Sequence, residues 1–227
     1  MNSRLSLGTV QFGLPYGITN QSGKVSLDVA KGIIDFARLS GIDTLDTAIA
    51  YGDSEASLGQ IGVGDFKVIT KLPAMPDNVT NVEIWVRDQM HASLKRLNVN
   101  SIFGVLMHRQ KDLIGSKGKD LYKTLGQLKA EGVMKKIGVS IYSPSELDSL
   151  FNVCKLDLVQ APFNLIDQRL ISSGWLQKLY DTGVEVHTRS AFLQGLLLIP
   201  VASIPEKFKS WLPLFNTWQS WLLDNNI

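Results

Sequence analysis

Cysteine is nearly absent from this chain of 227 residues, with Cys154 as the sole thiol. No intrachain disulfide can form, which fits a reducing compartment and points to the cytoplasm. The apolar setting FNVCKLDLV reads as that of a buried structural thiol. A surplus of charge is missing as well. Lys and Arg number 23 against 21 Asp and Glu, and a net charge of +2 is too small to draw the chain to nucleic acid or an anionic membrane. Long hydrophobic runs are lacking: the greasiest stretch, residues 191–202, is interrupted by Gln194 and Pro200 and is too short to span a bilayer. The opening MNSRLSLGTVQFG has no apolar core of the signal-peptide kind. His91, His108 and His187 do not stand at metal-ligand spacing, so no metal is expected. Neither a G-x-S-x-G nucleophile elbow nor a G-x-G-x-x-G dinucleotide loop occurs, which argues against a serine hydrolase and against a Rossmann domain.

What is present is a regular alternation. Short apolar runs at residues 5–10, 42–46, 67–71, 102–107, 134–140, 157–161 and 184–187 read as strands. Amphipathic stretches separate them: a helix capped by Ser26 and closed by Gly41, a short one at 54–60, then 79–97, 119–131, 143–153, 169–182 and a last one at 205–225. Pro213 inside the last pattern either kinks it or starts a new helix. Runs such as Ile102–Met107, apolar without alternation, suit parallel strands covered on both faces. Strict strand–helix alternation leaves two architectures, an open doubly wound sheet or a (β/α)₈ barrel. Without a phosphate loop after the first strand the barrel is preferred. The expected fold is a single domain over residues 1–227, an incomplete (β/α)₈ barrel of about seven βα units.

The stretch GIDTLDTAIAYGDSEASLG, residues 41–59, organises the rest. Asp46 falls at the end of the second strand and Tyr51 in the loop beyond it. Lys71 and His108 fall at the ends of the third and fourth strands. In a barrel of this type the active site lies at the C-terminal strand ends, and neighbouring strands are about 5 Å apart, so the four can converge. A tyrosine titrates near ~10 and is a weak proton donor at neutral pH. A nearby ammonium stabilises the phenolate, so Lys71 is expected to lower the Tyr51 pKa, with Asp46 holding the lysine charged and His108 orienting a substrate oxygen.

LDTAIAYGDSEASLG, VITKLP, VLMHRQ and the opening LGTVQFG together resemble the aldo-keto reductase family over almost the whole chain. The resemblance implies a barrel that binds a nicotinamide cofactor, usually NADPH with NADH as the alternative, and reduces an aldehyde or ketone. By that resemblance Tyr51 is the general acid, Lys71 and Asp46 tune it, and His108 orients the carbonyl. Cofactor contacts carry over to Gly8 and Thr9 in LGTVQFG, Ser140 in IGVSIY and Gln160 in LVQAPFN. They also carry over to Arg189, Ser190, Gln194 and Gly195 in HTRSAFLQGLL. Two departures stand out. Ile141 follows Ser140 where the family often has asparagine, and Arg189 occupies a stacking position that is often aromatic. Family members also continue for several tens of residues with an eighth strand, a last helix and the motif that grips the 2′-phosphate. Two readings therefore compete: a working carbonyl reductase, and a shortened, non-catalytic relative acting as a binding or regulatory module. A small carbonyl substrate is the expected partner, and the open barrel edge and aromatic last helix are the expected surfaces for self-association. Arg109, beside His108, is a candidate for attracting an anionic substrate.

Overall fold

The computed structural model describes residues 4–227; the first three residues of the N-terminal stretch, and of the expected domain, lie outside that range. Seven strands form one all-parallel sheet: β1 (Leu7–Gly8), β2 (Thr44–Asp46), β3 (Lys67–Leu72), β4 (Ile102–Met107), β5 (Met134–Ser140), β6 (Leu158–Pro162) and β7 (Glu185–Arg189). The spatial order is β1 to β7 without interruption. A doubly wound sheet reverses its strand order at a switch point, whereas here each strand pairs with its neighbours in sequence. The sheet is wound one way only, as in a barrel, and it is open: among the described residues β1 and β7 do not pair with each other.

Helices α1 (Leu27–Leu39), α2 (Ser54–Ile61), α3 (Val82–Leu97), α4 (Lys111–Ile114), α5 (Gly118–Ala130), α6 (Glu146–Leu150), α7 (Arg169–Ser172), α8 (Trp175–Asp181) and α9 (Leu212–Asp224) connect or follow the strands. Ser26 caps α1 by accepting from the Val29 N–H, and Asn81 caps α3 by accepting from the Ile84 N–H. Two expected elements differ, and for a third the structure decides between the two alternatives. The first strand is short because the chain coils into a 3₁₀ turn at Val10–Phe12. The helix expected over 169–182 is two helices, parted at Gly174, whose φ of 76° lies in the left-handed region. Pro213 sits in the first turn of α9, where its missing N–H costs nothing, so it starts a helix rather than kinking one.

The main core lies between the sheet and α1–α8, with Ile34, Leu45, Leu58, Val86, Met90, Leu125, Leu128 and Val139 fully buried. Cys154 belongs to it, and burial pushes its thiol up to about 11, as befits an inert structural cysteine. A second cluster of Ile69, Leu106 and Leu158 joins β3, β4 and β6. Two charged side chains are buried within this frame, Glu55 and Lys71. Glu55 on α2 is 1% exposed and accepts from Thr70 Oγ1 at 2.6 Å, Ser93 Oγ at 2.7 Å and Arg96 Nε at 2.8 Å, tying α2 to β3 and α3. Such burial is tolerable only because the carboxylate is both paired and hydrogen-bonded.

The C-terminal segment does not join the outer ring of helices. Phe215 of α9 packs with Leu196, Leu197 and Ile204 in a separate cluster, to which Ile18 contributes from the loop after β1. Thr19 Oγ1 donates to the Gln194 carbonyl at 3.2 Å, and a Cβ on Gly195 would lie 2.0 Å from Thr19 Oγ1. The loops after the first and last strands thus meet, although the strands themselves do not. Trp218 and Trp221 stack at 5.4 Å, and Trp211 and Trp221 remain exposed.

Candidate active site

The Asp46, Lys71 and His108 side chains emerge at the C-terminal ends of three adjacent strands, as the spacing implied. β2 pairs with β3 at Asp46–Ile69, and β3 with β4 at Leu72–Met107. Lys71 is 1% exposed, and its Nζ donates to Asp46 Oδ1 at 2.7 Å and to the Thr47 carbonyl at 2.9 Å. Beyond β2 the backbone continues the ladder, with Thr47 N–H bonded to Ile69 O and Ile49 N–H to Lys71 O, and then turns at Tyr51.

That turn is fixed by glycines on both sides. A Cβ on Gly13 would fall 1.8 Å from the Tyr51 carbonyl oxygen, and one on Gly52, at φ 55°, 2.6 Å from the Gly13 carbonyl. Only a backbone without side chains can approach this closely, so the loop after β1 clamps the loop carrying Tyr51. The tyrosine ring is thereby set over Lys71, whose Nζ lies 4.9 Å from the ring centroid, and edge-on to His108 at 6.0 Å.

The electrostatics differ from the expectation in one respect. Lys71 does not bring the Tyr51 pKa down. The phenol is raised above its ordinary value, first by burial and then by the Asp46 carboxylate, with Arg189 opposing. The physical reason is that Lys71 and Asp46 form a nearly neutral pair. Burial in fact lowers Lys71 itself, with Asp46 pushing back. Tyr51 is therefore held firmly protonated. His108 is lowered by burial and by the Lys71 charge, which leaves its imidazole neutral at neutral pH.

A polar chain runs on from Asp46 across the sheet. Gln160 Nε2 donates to Asp46 Oδ1 at 2.8 Å, and Ser140 Oγ donates to Gln160 Oε1 at 3.0 Å; both residues are 3% exposed. Among the described residues the second amide hydrogen of Gln160 has no acceptor and the Ser140 hydroxyl receives no donor. Thr9 is fully buried, and its hydroxyl bonds to the Asp46 carbonyl and to Ser54, so it braces the end of β2 from behind. Gly8 is exposed, and a Cβ there would meet nothing within 4 Å.

Past β7, Ser190, Leu193, Gln194 and Gly195 all have positive φ. The N–H groups of Ala191 and Phe192 have no acceptor among the described residues. Two free N–H groups flanked by left-handed residues make a concave backbone able to accept an anion. Arg189 Nη2 donates to the Ile141 carbonyl at 2.9 Å, and its guanidinium lies 4.4 Å from the Tyr142 ring centroid.

Some contributors went unread in the sequence. Tyr142 lies two residues beyond Ser140 in a quoted motif, and its stacking role depends on a strand two places away. Asn164 Oδ1 accepts from the Ile166 and Asp167 N–H groups while its amide donates to the Ser190 carbonyl, joining the loops after β6 and β7. Asn at the end of PFN was a readable turn signal. Arg109 is no anion collector: it pairs with Asp112 at 2.6 Å and donates to the Met75 carbonyl. The groove of about 510 Å³ lined by Tyr122, Phe151, Cys154 and Val184 adjoins residues that precede β6 and β7 and has no part in this site.

Tyr51, the Lys71–Asp46 pair and His108 thus share the C-terminal edge of a singly wound parallel β/α sheet. The chain belongs to the aldo/keto reductase family, whose model matches residues 4–221. It is 25% identical over 223 residues to an NADH-specific methylglyoxal reductase of Escherichia coli K12, covering 86% of this chain and 65% of that protein. It is 26% identical to an aldo-keto reductase of Bacillus subtilis 168, covering 75% of this chain and 53% of the relative. The chain thus spans under two thirds of either relative. Among solved structures, a glycerol dehydrogenase of Gluconobacter oxydans superposes with a TM-score of 0.73 at 24% identity over 98% of this chain and 75% of its own. The holo form of an aldo-keto reductase from Bacillus halodurans gives 0.71 at 22%, over 90% and 66%. At these identities the structural likeness speaks for the fold alone. Among the described residues no helix is long and apolar enough to cross a membrane.

Proposed function

We propose that the protein reduces an aldehyde or ketone to an alcohol with a nicotinamide cofactor, using Tyr51 as the proton donor. The observation that carries this reading is the buried Lys71–Asp46 pair set beneath the Tyr51 ring, with His108 edge-on to the same ring. The bound cofactor supplies hydride to the carbonyl carbon. Gly8, Ser140, Gln160 and the backbone from Ser190 to Gly195, with the Gln194 side chain, are the residues to hold it, and the face of Arg189 is available for stacking. Neutral His108 donates to the substrate carbonyl oxygen and fixes its direction. Tyr51, kept protonated by burial and by Asp46, releases its proton only when charge builds on that oxygen, so the phenol acts late and specifically. The Lys71 ammonium lies beneath the ring, held by Asp46, which Gln160 holds in turn, so the pair fixes where the ring sits. The Escherichia coli relative is named for NADH, so both cofactors belong in the test.

The experiment is a titration of NADPH and of NADH followed by tryptophan fluorescence, alongside cofactor oxidation with a panel of aldehydes. Tyr51→Phe is expected to cut turnover by about 10²–10⁴-fold while leaving cofactor affinity nearly intact. Undiminished turnover in that variant would mean that the acid lies elsewhere. Absence of cofactor binding at saturation would favour the non-catalytic reading.

A further inference from the structure

We propose that Ser54 is a positioning residue for the reduction, its buried hydroxyl holding the loop of Tyr51 in place over the Lys71–Asp46 pair. The inference rests on the reductase reading and adds to it a residue that acts through others. Strand pairing fixes Asp46 and Lys71, whereas Tyr51 stands in the loop between β2 and α2. The Gly13–Gly52 approach holds that loop from one side. Its far end is Ser54, the first residue of α2, which is fully buried together with Thr9 and Thr47.

The Ser54 N–H donates to the Tyr51 carbonyl at 3.1 Å. Its hydroxyl donates to the Thr9 carbonyl at 2.9 Å and lies 3.0 Å from both Thr9 Oγ1 and Thr47 Oγ1. Thr9 Oγ1 gives its proton to the Asp46 carbonyl at 3.0 Å, beside the Thr9 N–H at 2.9 Å. A hydroxyl has one proton to donate, so Thr47 is the residue that donates to Ser54. The Thr47 carbonyl in turn accepts from Lys71 Nζ at 2.9 Å. Ser54 therefore joins the backbone of Tyr51 to the residue that holds the Lys71 ammonium and to the one that holds the Asp46 backbone. The next residue of α2, Glu55, accepts at 2.6 Å from Thr70, the neighbour of Lys71. Without the Ser54 hydroxyl, Thr47 loses its acceptor and the Thr9 carbonyl its side-chain donor at fully buried positions, so the segment shifts to re-satisfy them. A shift of about 1 Å in a reacting group is worth about 10²-fold in rate.

The test is a double-mutant cycle on kcat, at saturating cofactor and aldehyde, with Ser54→Ala and Tyr51→Phe alone and together. Ser54→Ala is expected to lower kcat about 10–100-fold while leaving KM for the cofactor within about twofold. In the Tyr51→Phe background the same change is expected to have almost no further effect, because no phenol is left to misplace. Thr124→Ala removes a buried hydroxyl from α5, away from the site, and serves as the structural control. It is expected to lower Tm about as much as Ser54→Ala, by about 2–6 °C, with kcat unchanged. An equal kcat loss with and without the Tyr51 phenol overturns the proposal, and so does an unchanged kcat in Ser54→Ala. Ser54→Cys keeps the volume but only a weak donor, and it carries the same cycle if the alanine variant does not fold. A second readout needs no turnover. In protein labelled with ¹³Cζ-tyrosine, the resonance lost in Tyr51→Phe is expected to shift in Ser54→Ala and to stay in Thr124→Ala. If no carbonyl is reduced but that resonance moves, the reductase reading fails and the positioning of Tyr51 by Ser54 stands. A Tyr51 resonance unmoved by loss of the hydroxyl overturns it.

Discussion

Replacing Asp46 with asparagine keeps an oxygen in place to accept from Lys71 and Gln160 while removing the charge that neutralises a lysine only 1% exposed. Breaking a buried ion pair from one side costs about 3–5 kcal/mol. Asp46 itself is 17% exposed and the amide still accepts hydrogen bonds, so the lower end, about 3 kcal/mol, applies. For a chain of this size that corresponds to a fall in Tm of about 6–12 °C. The pH dependence gives the sharper check. Burial already holds the folded Lys71 pKa below its ordinary value, and losing Asp46 removes the causes that raise it, so the folded value drops further. Between the folded pKa and the unfolded value near ~10.4 the unfolded chain carries the extra proton, and stability rises with pH. The deficit of Asp46→Asn relative to wild type is therefore expected to be largest towards neutrality and to shrink as pH rises through the lowered folded pKa values, above which Lys71 is neutral in both folded proteins. Urea denaturation across that range measures it. The double variant Asp46→Asn/Lys71→Met is expected to regain much of the loss, because the unpaired charge is gone. A deficit below about 1 kcal/mol that is the same at neutral and alkaline pH would refute the reasoning, since the pair would not be what secures Lys71.

Gly13→Ala places a methyl 1.8 Å from the Tyr51 carbonyl and must move the clamp. A destabilisation of about 1–3 kcal/mol and a loss of turnover near 10²-fold are expected in thermal melts and steady-state kinetics. Gly126→Ala, where an added methyl on α5 meets nothing, is expected instead to stabilise by about 0.5–1 kcal/mol. His108 takes its proton below the ordinary histidine value near ~6.5. The acid limb of kcat/KM is therefore expected below that pH. On falling pH the unfolded chain protonates this histidine first, so its contribution to stability is full above ~6.5 and declines below it. An NMR midpoint for the His108 ring at or above that value would sink the assignment.

The order of elements, the barrel in place of a doubly wound sheet, and the strand ends bearing Asp46, Lys71 and His108 were all legible in the chain. They follow from local rules, namely apolar periodicity, capping by Ser26, and glycines that stop helices. The stretch 41–59 named its carboxylate and its tyrosine because a strand end and the loop after it are close in sequence. What three-dimensional packing decided is of another kind. The Gly13–Gly52 approach, the Gln160–Asp46 bond across 114 residues and the Thr19–Gln194 contact across 175 join segments that no window along the chain brings together. The direction of the Tyr51 pKa is the clearest instance. Sequence alone placed an ammonium near a phenol and implied a lowered value; the fold buried both, paired the ammonium with Asp46, and raised the phenol instead. Arg109 and Arg189 show the same division. Each is an arginine at a strand end, and only the tertiary structure decides that one is tied to Asp112 while the other has no carboxylate partner among the described residues. Residue types and their order set which chemistry can be assembled, whereas burial and the identity of each charge's partner, which depend on distant segments, set how that chemistry is tuned.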